Sequence, residues 1–314
     1  MTGRFAPSPT GRMHLGNLWS ALLNWLAVRS GNGTLLLRIE DIDRSRCRPA
    51  YTEQLLADLM RMGLDWDESP EHPRIRQQDR SALYAEIIET WKTQGLAYSC
   101  VCSRLDLHAS SAPHPEDGHA VYAGRCRTPE GRTGRNPGKP PAWRLRVPEG
   151  VQAEDRFTDR IQGPQRMNLA TDWGDFIVAR ADGQFAYQFA CAVDDALTGV
   201  DFVLRGADLL SSAFPQRHIM RLLDLPAPEY CHVPLLSDPD RVRLSKRQKS
   251  LDLGEMLSAG LTPEQITGRL AHLAGQIDRP EPVRPSDLLP IFSLARIPAV
   301  RTLPVDPAAW MREA

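Results

Sequence analysis

Two segments far apart in the chain carry residue types that handle polyphosphate. In the first, Pro7-Ser-Pro-Thr-Gly-Arg-Met-His-Leu-Gly-Asn17, Gly11 and Gly16 let a backbone approach an anion, and His14 can donate a ring N–H to a phosphate oxygen. In the second, Asp240-Arg-Val-Arg-Leu-Ser-Lys-Arg-Gln-Lys249, Arg241, Arg243, Lys246, Arg247 and Lys249 share one polar stretch. This stretch reads as a loop that closes over a triphosphate, with Lys246 a movable point charge on oxygens that gain charge in a transition state. The glycine spacing is not that of a Walker A loop. A histidine beside a glycine alone is equally a helix cap, and a basic run alone is equally a solvated turn; the pair together points to nucleotide chemistry.

A third group is metal-like. Cys100-Val-Cys102 and Cys126 lie in a segment, Cys100 to about Arg146, rich in Gly, Pro, His and Arg and without clear periodicity. Such a segment has little apolar material to hold it together, and a structural zinc would supply the missing stability. Three thiols leave one tetrahedral position, for which His108, His114, His119 and Tyr122 are available; general ligand preference selects His119. The same segment carries Arg125, Arg127, Arg132, Arg135, Lys139, Arg144 and Arg146 opposed only by Glu130. That is either a face for RNA phosphates or a solvated loop.

The elements that must position these groups read as follows. Arg4 to Pro9 predicts a short strand ended by Pro7 and Pro9, and Leu15, Leu18, Leu22, Leu26 and Val28 recur at helical period until Gly31 and Gly33. Thr34 to Ile39 is an apolar run suited to a strand buried on both faces, running into Glu40, Asp41 and Asp43. Helices are predicted from Pro49 to a stop at Gly63, from about Ser81 to Gln94, and from about Leu209 to Leu223. Ala186 to Val193 is apolar and followed by Asp194 and Asp195, and Phe202 to Leu204 precedes Arg205. The pattern is an α/β, Rossmann-like core. Its first half spans 1–98, an inserted subdomain 99–185, the second half 186–250, and a small helical appendage 251–314.

Composition sets limits. The chain has 314 residues, 42% hydrophobic and 25% charged, which is ordinary for a globular protein. A formal net charge of -1 excludes a uniformly basic coat, so any RNA contact is local. No segment approaches the roughly 20 apolar residues needed to cross a bilayer, and Met1 to Thr10 lacks an apolar signal core. A cytoplasmic protein without a disulfide framework is expected.

His14-Leu-Gly-Asn17 resembles the HIGH element of class I aminoacyl-tRNA synthetases, and Arg243-Leu-Ser-Lys-Arg247 resembles their KMSKS loop. Asn17 stands for the second histidine, and Arg243 and Arg247 for the outer Lys and Ser. Arg4 to Gly16, followed by Leu37-Arg-Ile-Glu-Asp-Ile-Asp43, looks like the start of a glutamyl-tRNA synthetase catalytic domain. Tyr187-Gln-Phe-Ala-Cys-Ala-Val-Asp-Asp195 resembles that family's corresponding stretch, with Cys191 where asparagine is frequent.

The resemblance implies that Arg4, Phe5, Ala6, Pro7 and Ser8 line a glutamate site, that Glu40 takes the ammonium, and that Tyr187 with Arg205 holds a carboxylate. It implies ATP contacts from Gly11, His14, Gly16, Asn17, Ser245 and Lys246, with His14 and Lys246 catalytic and magnesium accompanying ATP. Cys191 should border the adenylate. The competing structural roles are a Glu40 pair with Arg38 or Arg44, Tyr187 in the core, and an Arg205 bridge to Asp208. Cys-x-Cys followed by Tyr-x-x-x-Cys resembles the glutamyl-queuosine tRNA(Asp) synthetases and implies one structural zinc on Cys100, Cys102, Tyr122 and Cys126.

The residues after Ser250 are too few for the helical anticodon-binding region of a charging synthetase. The whole chain resembles the glutamyl-queuosine family, whose members activate glutamate without tRNA and esterify it to queuosine in tRNA(Asp). Two alternatives are a discrete glutamyl-tRNA synthetase that charges the tRNA 3′ end and a catalytically silent, zinc-dependent tRNA-binding module. A monomer is expected.

Overall fold

The structure is a computed structural model that describes residues 1–68, 75–102, 121–122, 124–132, 138, 140–239, 251–306 and 309–310. Five strands form its central parallel sheet: β1 (Thr2–Phe5), β2 (Thr34–Ile39), β3 (Ile75–Arg76), and, after the strands described below, β9 (Phe202–Gly206) and β10 (Glu229–Val233). Their spatial order is β10-β9-β1-β2-β3. Strand β1 stops at Phe5, short of the predicted Pro9, because Pro7 and Pro9 have no N–H to donate to a ladder.

Helix α1 (Leu15–Ser30) follows β1 and is buried over most of its surface, which its run of Leu, Trp and Ala makes possible. Its approach to the sheet is close: a side chain at Gly3 would meet Val28 at 2.3 Å. Helices α2 (Pro49–Arg61) and α3 (Ser81–Thr93) follow, α2 starting on a proline at its first turn.

The chain then leaves the sheet. Strands β4 (Ala97–Cys100), β5 (Ala142–Leu145) and β8 (Phe176–Ala179) form an antiparallel sheet, and β6 (Glu154–Asp159) with β7 (Gly163–Asn168) forms a hairpin. The hairpin leans on β10, where the Arg160 N–H donates to the Tyr230 carbonyl at 2.9 Å. Helix α4 (Tyr187–Leu197) returns the chain to the parallel sheet. Helix α5 (Ala213–Leu222) starts later than the predicted Leu209: 207–209 is a tight 3₁₀ turn, and the Leu209 carbonyl accepts a side-chain hydrogen bond at 3.1 Å instead of opening the helix.

Beyond β11 (Leu235–Ser237) come the short α6 (Leu253–Ser258), α7 (Pro263–Leu273) and α8 (Pro285–Leu288), then β12 (Thr302–Pro304), which pairs in parallel with β11. Leu253, Met256, Ile266, Leu270, Leu288 and Trp310 enter the same core as α1. No helix among the described residues is long and apolar enough to cross a membrane.

Candidate active site

Three adjacent strands each carry one buried arginine: Arg38 on β2, Arg4 on β1 and Arg205 on β9. Buried guanidinium groups require partners. Helix α4 supplies them for Arg4 and Arg38, because Tyr187, Cys191 and Asp195 recur at i, i+4 and i+8 and share one helix face. Asp195 Oδ1 accepts from Arg4 Nε at 3.2 Å and from Arg38 Nη1 at 2.5 Å, and Arg38 Nη2 donates to Glu40 Oε1 at 3.1 Å and to Cys191 Sγ at 3.2 Å.

Burial alone would raise the Asp195 pKa; Arg38 and Arg4 outweigh it and hold the carboxyl below its ordinary value. Burial would likewise lower that of Arg38, and Asp195, Cys191, Glu40 and Asp194 outweigh it in the other direction. Glu40 differs. Burial raises its pKa, and Arg38 and Arg4 offset that only in part, so this carboxylate gains most from a further cation.

Asp194 anchors the other side of the same helix end. It accepts from Gln77 Nε2 at 2.7 Å, Arg80 Nε at 2.7 Å and the Tyr84 hydroxyl at 2.8 Å.

Above this layer opens a cleft of about 420 Å³ at the carboxyl ends of the parallel strands, where open α/β sheets bind ligands. Arg4, Phe5, Ala6, Pro7, Ser8, Glu40, Tyr187 and Arg205 line it together with Gly11, His14, Gly16 and Asn17. Every predicted glutamate or nucleotide residue among the described residues is therefore on one cavity. Ser245 and Lys246 lie outside the described residues.

The structural roles set against these residues resolve individually. Glu40 does pair with Arg38, yet it also faces the cleft. Tyr187 is 37% exposed and is not core. Arg205 donates to His232 Nε2 at 2.9 Å, Gln216 Oε1 at 2.7 Å and the Leu209 carbonyl at 3.1 Å. Cys191 is fully buried beneath the cleft and not among its lining residues; burial pushes its thiol up to about 12.

His14 is the N-cap residue of α1, where Asn17 Oδ1 accepts the His14 backbone N–H at 3.3 Å. A side chain at Gly16 would meet the His14 ring at 3.2 Å, so this glycine makes room for the imidazole as well as for a ligand. The backbone around His14 is tied to the chain that follows the basic segment 240–249: Leu15 N donates to the Leu251 carbonyl at 2.9 Å, and Leu253 N to the Met13 carbonyl at 3.0 Å. Lys246 precedes Leu251 by five residues.

A second group sits at the end of β4. The sulfurs of Cys100, Cys102 and Cys126 all lie within 4.8 Å of one another. Cys102 Sγ is 3.5 Å from Cys126 Sγ, and the Tyr122 oxygen is 3.7 Å from both Cys100 Sγ and Cys102 Sγ. A tetrahedral ion with Zn–S bonds of about 2.3 Å keeps its ligand atoms about 3.5–3.8 Å apart, so this donor set fits one.

The surroundings agree with a metal-binding role. Burial pushes the Cys102 thiol up to about 12, and without a cation three thiolates would repel one another here. Arg144 stacks on the Tyr122 ring at 3.8 Å and donates to Cys100 Sγ at 3.2 Å, adding positive charge. Gly174, at φ +73°, lets the two backbones meet, since a side chain there would lie 2.8 Å from Tyr122 N and O. His108, His114 and His119 fall outside the described residues.

Sequence reasoning missed Arg38 as a network centre, and missed His232 and Asp159 behind Arg205. The available signal was a charge inside an apolar strand run: Arg38 in Leu35–Ile39 and His232 in Tyr230–Val233 have to be paired once those strands are buried.

Comparison with known proteins places the chain. A family model described as tRNA synthetases class I (E and Q), catalytic domain, matches residues 1–275. The chain is 48% identical over 308 residues to a glutamyl-Q tRNA(Asp) synthetase of Symbiobacterium thermophilum, covering 95% of this chain and 94% of the relative. It is 45% identical over 305 residues to one of Nitratidesulfovibrio vulgaris, covering 94% and 93%. Among solved structures, a glutamate tRNA ligase from Elizabethkingia meningosepticum, crystallised in complex with its amino acid, superposes with a TM-score of 0.78 at 26% identity. That match covers 96% of this chain but 66% of the ligase, so the chain spans about two thirds of its length.

Replacing Arg38 with methionine leaves Glu40 without its hydrogen-bonded arginine and Asp195 with Arg4 as its one guanidinium partner. Breaking a buried ionic network in this way costs about 3–5 kcal/mol. Chemical denaturation of Arg38→Met should show that loss; a loss below about 1 kcal/mol would mean that Arg38 is not the centre of the network.

Proposed function

The chain belongs to the class I tRNA synthetases of the E and Q type, and on that premise we propose that it activates L-glutamate with ATP and transfers it to the queuosine base of tRNA(Asp). The observation that carries this reading is the charge pattern of the cleft. Glutamate has two carboxylates and one ammonium. The cleft offers Arg4 and Arg205 for the former and Glu40 for the latter. Arrival of the ammonium would relieve the burial cost that now raises the Glu40 pKa.

In the proposed reaction a carboxylate oxygen of glutamate attacks the α-phosphorus of ATP, the bond to the bridging oxygen breaks, and pyrophosphate leaves with that electron pair. No protein nucleophile is involved. Glutamate is positioned by Arg205 and Tyr187, with Ala6 and Ser8 lining its site beside Phe5 and Pro7. ATP lies over Gly11, Gly16 and Asn17, where the cleft meets the amino end of α1 and its dipole favours anions. His14 donates to phosphate oxygens, and Lys246 with Ser245 supplies further donors to them. Rate enhancement comes from in-line placement and from charge set around the phosphates, with a magnesium ion neutralising part of the triphosphate.

Acceptor choice follows the family. The similarity, over 93–94% of their length, to proteins named glutamyl-Q tRNA(Asp) synthetase supports the modified anticodon base over the tRNA 3′ end. With purified tRNA(Asp), labelled glutamate should enter only tRNA that carries queuosine. Periodate treatment of the tRNA 3′ end before the reaction should leave that incorporation intact when the queuosine diol is protected. Label lost with the 3′ terminal nucleoside would support a charging synthetase instead.

Zinc on Cys100, Cys102, Tyr122 and Cys126 would cross-link β4 to the segment around Cys126 and supply stability, not chemistry. One zinc per chain is expected. Cys102→Ser should lose it and lower Tm by several degrees, with adenylate formation reduced much less than stability. Full stability of a zinc-free wild-type protein would contradict the structural role.

A further inference from the structure

We infer that His232 and Asp159 form a positioning dyad for Arg205: the hairpin β6–β7 selects one tautomer of a buried imidazole, and that tautomer holds the arginine that grips the substrate carboxylate. The inference rests on the assignment of Arg205 to a glutamate carboxylate.

The geometry leaves little freedom. Arg205 Nε always carries hydrogen and lies 2.9 Å from His232 Nε2, so that ring nitrogen must accept. The ring proton is then on Nδ1, which is 2.6 Å from Asp159 Oδ2. His232 and Asp159 are 0% and 1% exposed. The ring is neutral near neutral pH, because burial, aided by Arg205, lowers its pKa to about 4 against Asp159 and the nearby Leu209 carbonyl, which also accepts from Arg205 Nη2.

Asp159 is itself immobilised. Its Oδ1 accepts from Ile161 N at 3.0 Å, Gln162 N at 2.9 Å and His232 N at 3.1 Å. Arg205 Nη1 and Nη2 each give one further bond, to Gln216 and to the Leu209 carbonyl. Three of its five N–H groups are thus engaged, and one on each terminal nitrogen remains for a ligand.

The carboxylate that sets this arrangement lies outside the parallel sheet. It comes from the end of β6, in a hairpin docked on β10 by the Arg160 bond already described and by Gln162 Nε2, which donates to the His232 carbonyl at 3.0 Å. Glutamate affinity therefore depends on how this hairpin is seated.

Asp159→Asn tests the dyad with almost no change of shape. The amide nitrogen would donate to Nδ1, move the ring proton to Nε2 and set it against the Arg205 Nε–H. We expect the glutamate KM in ATP–pyrophosphate exchange to rise roughly tenfold or more, with kcat and the ATP KM within about twofold, because carboxylate binding serves ground and transition states alike. Adding His232→Gln, which presents an acceptor oxygen and has no tautomer, should recover most of the lost affinity.

Nitrogen-15 NMR of histidine-labelled wild-type protein reads the tautomer independently of catalysis and should show His232 protonated on Nδ1. A proton on Nε2 would overturn the inference, even if Asp159→Asn fails to fold. An unchanged glutamate KM in folded Asp159→Asn would do the same. Arg205→Met separates the two levels: no effect on the glutamate KM would sink the assignment of Arg205 itself, whereas a large effect beside a silent Asp159→Asn would sink the dyad alone.

Discussion

Asp195 is a carboxylate with 1% exposure under the carboxyl edge of a parallel sheet, and the site above it depends on keeping that charge neutralised. Two guanidinium groups from neighbouring strands do so, Arg4 from β1 and Arg38 from β2. This fixes α4 against both strands and therefore fixes where Tyr187 faces the cleft. It also positions Glu40, which shares Arg38 but is only partly compensated. A buried ion pair contributes little net stability against an apolar replacement. What it provides here is definition: a rigid floor from which the partly satisfied groups project.

The cleft is built on that contrast. Charges below it satisfy one another within the protein, and those lining it keep capacity for a ligand. Arg205 has two N–H groups left over after His232, Gln216 and Leu209 are served. The same economy of partners holds the Cys100 segment, where Asp175 gathers Arg127 bidentately at 2.6 Å, the Tyr98 hydroxyl at 2.5 Å and Val147 N at 2.9 Å. That network seats the thiols where apolar packing is sparse, in a small cluster of Tyr98, Cys100, Tyr122 and Cys126.

Much of this was legible in the sequence, for identifiable reasons. Thr34–Ile39 was readable as a strand because a strand covered on both faces needs a nearly continuous apolar run, and Leu15–Ser30 as a helix because its large side chains recur at helical period. The cleft residues were readable as a group because short local segments carry most of them, Arg4–Ser8 and Gly11–Asn17. What the sequence hid is the pairing between segments far apart. Nothing local to Arg38 points to Asp195, and nothing local to Arg205 points to a histidine 27 residues on and an aspartate in a hairpin 73 residues before it. The late start of α5 was hidden likewise, because the Leu209 carbonyl is taken by a side chain from the preceding strand.

The central claim is that this cleft activates glutamate by itself. Its most direct test is ATP–pyrophosphate exchange by the purified full chain with magnesium, across a panel of amino acids and with no tRNA present. The account predicts exchange with L-glutamate, and far less with glutamine or aspartate, at a rate that added tRNA does not raise. Exchange that appears only when tRNA is added, or none with any amino acid, would contradict it.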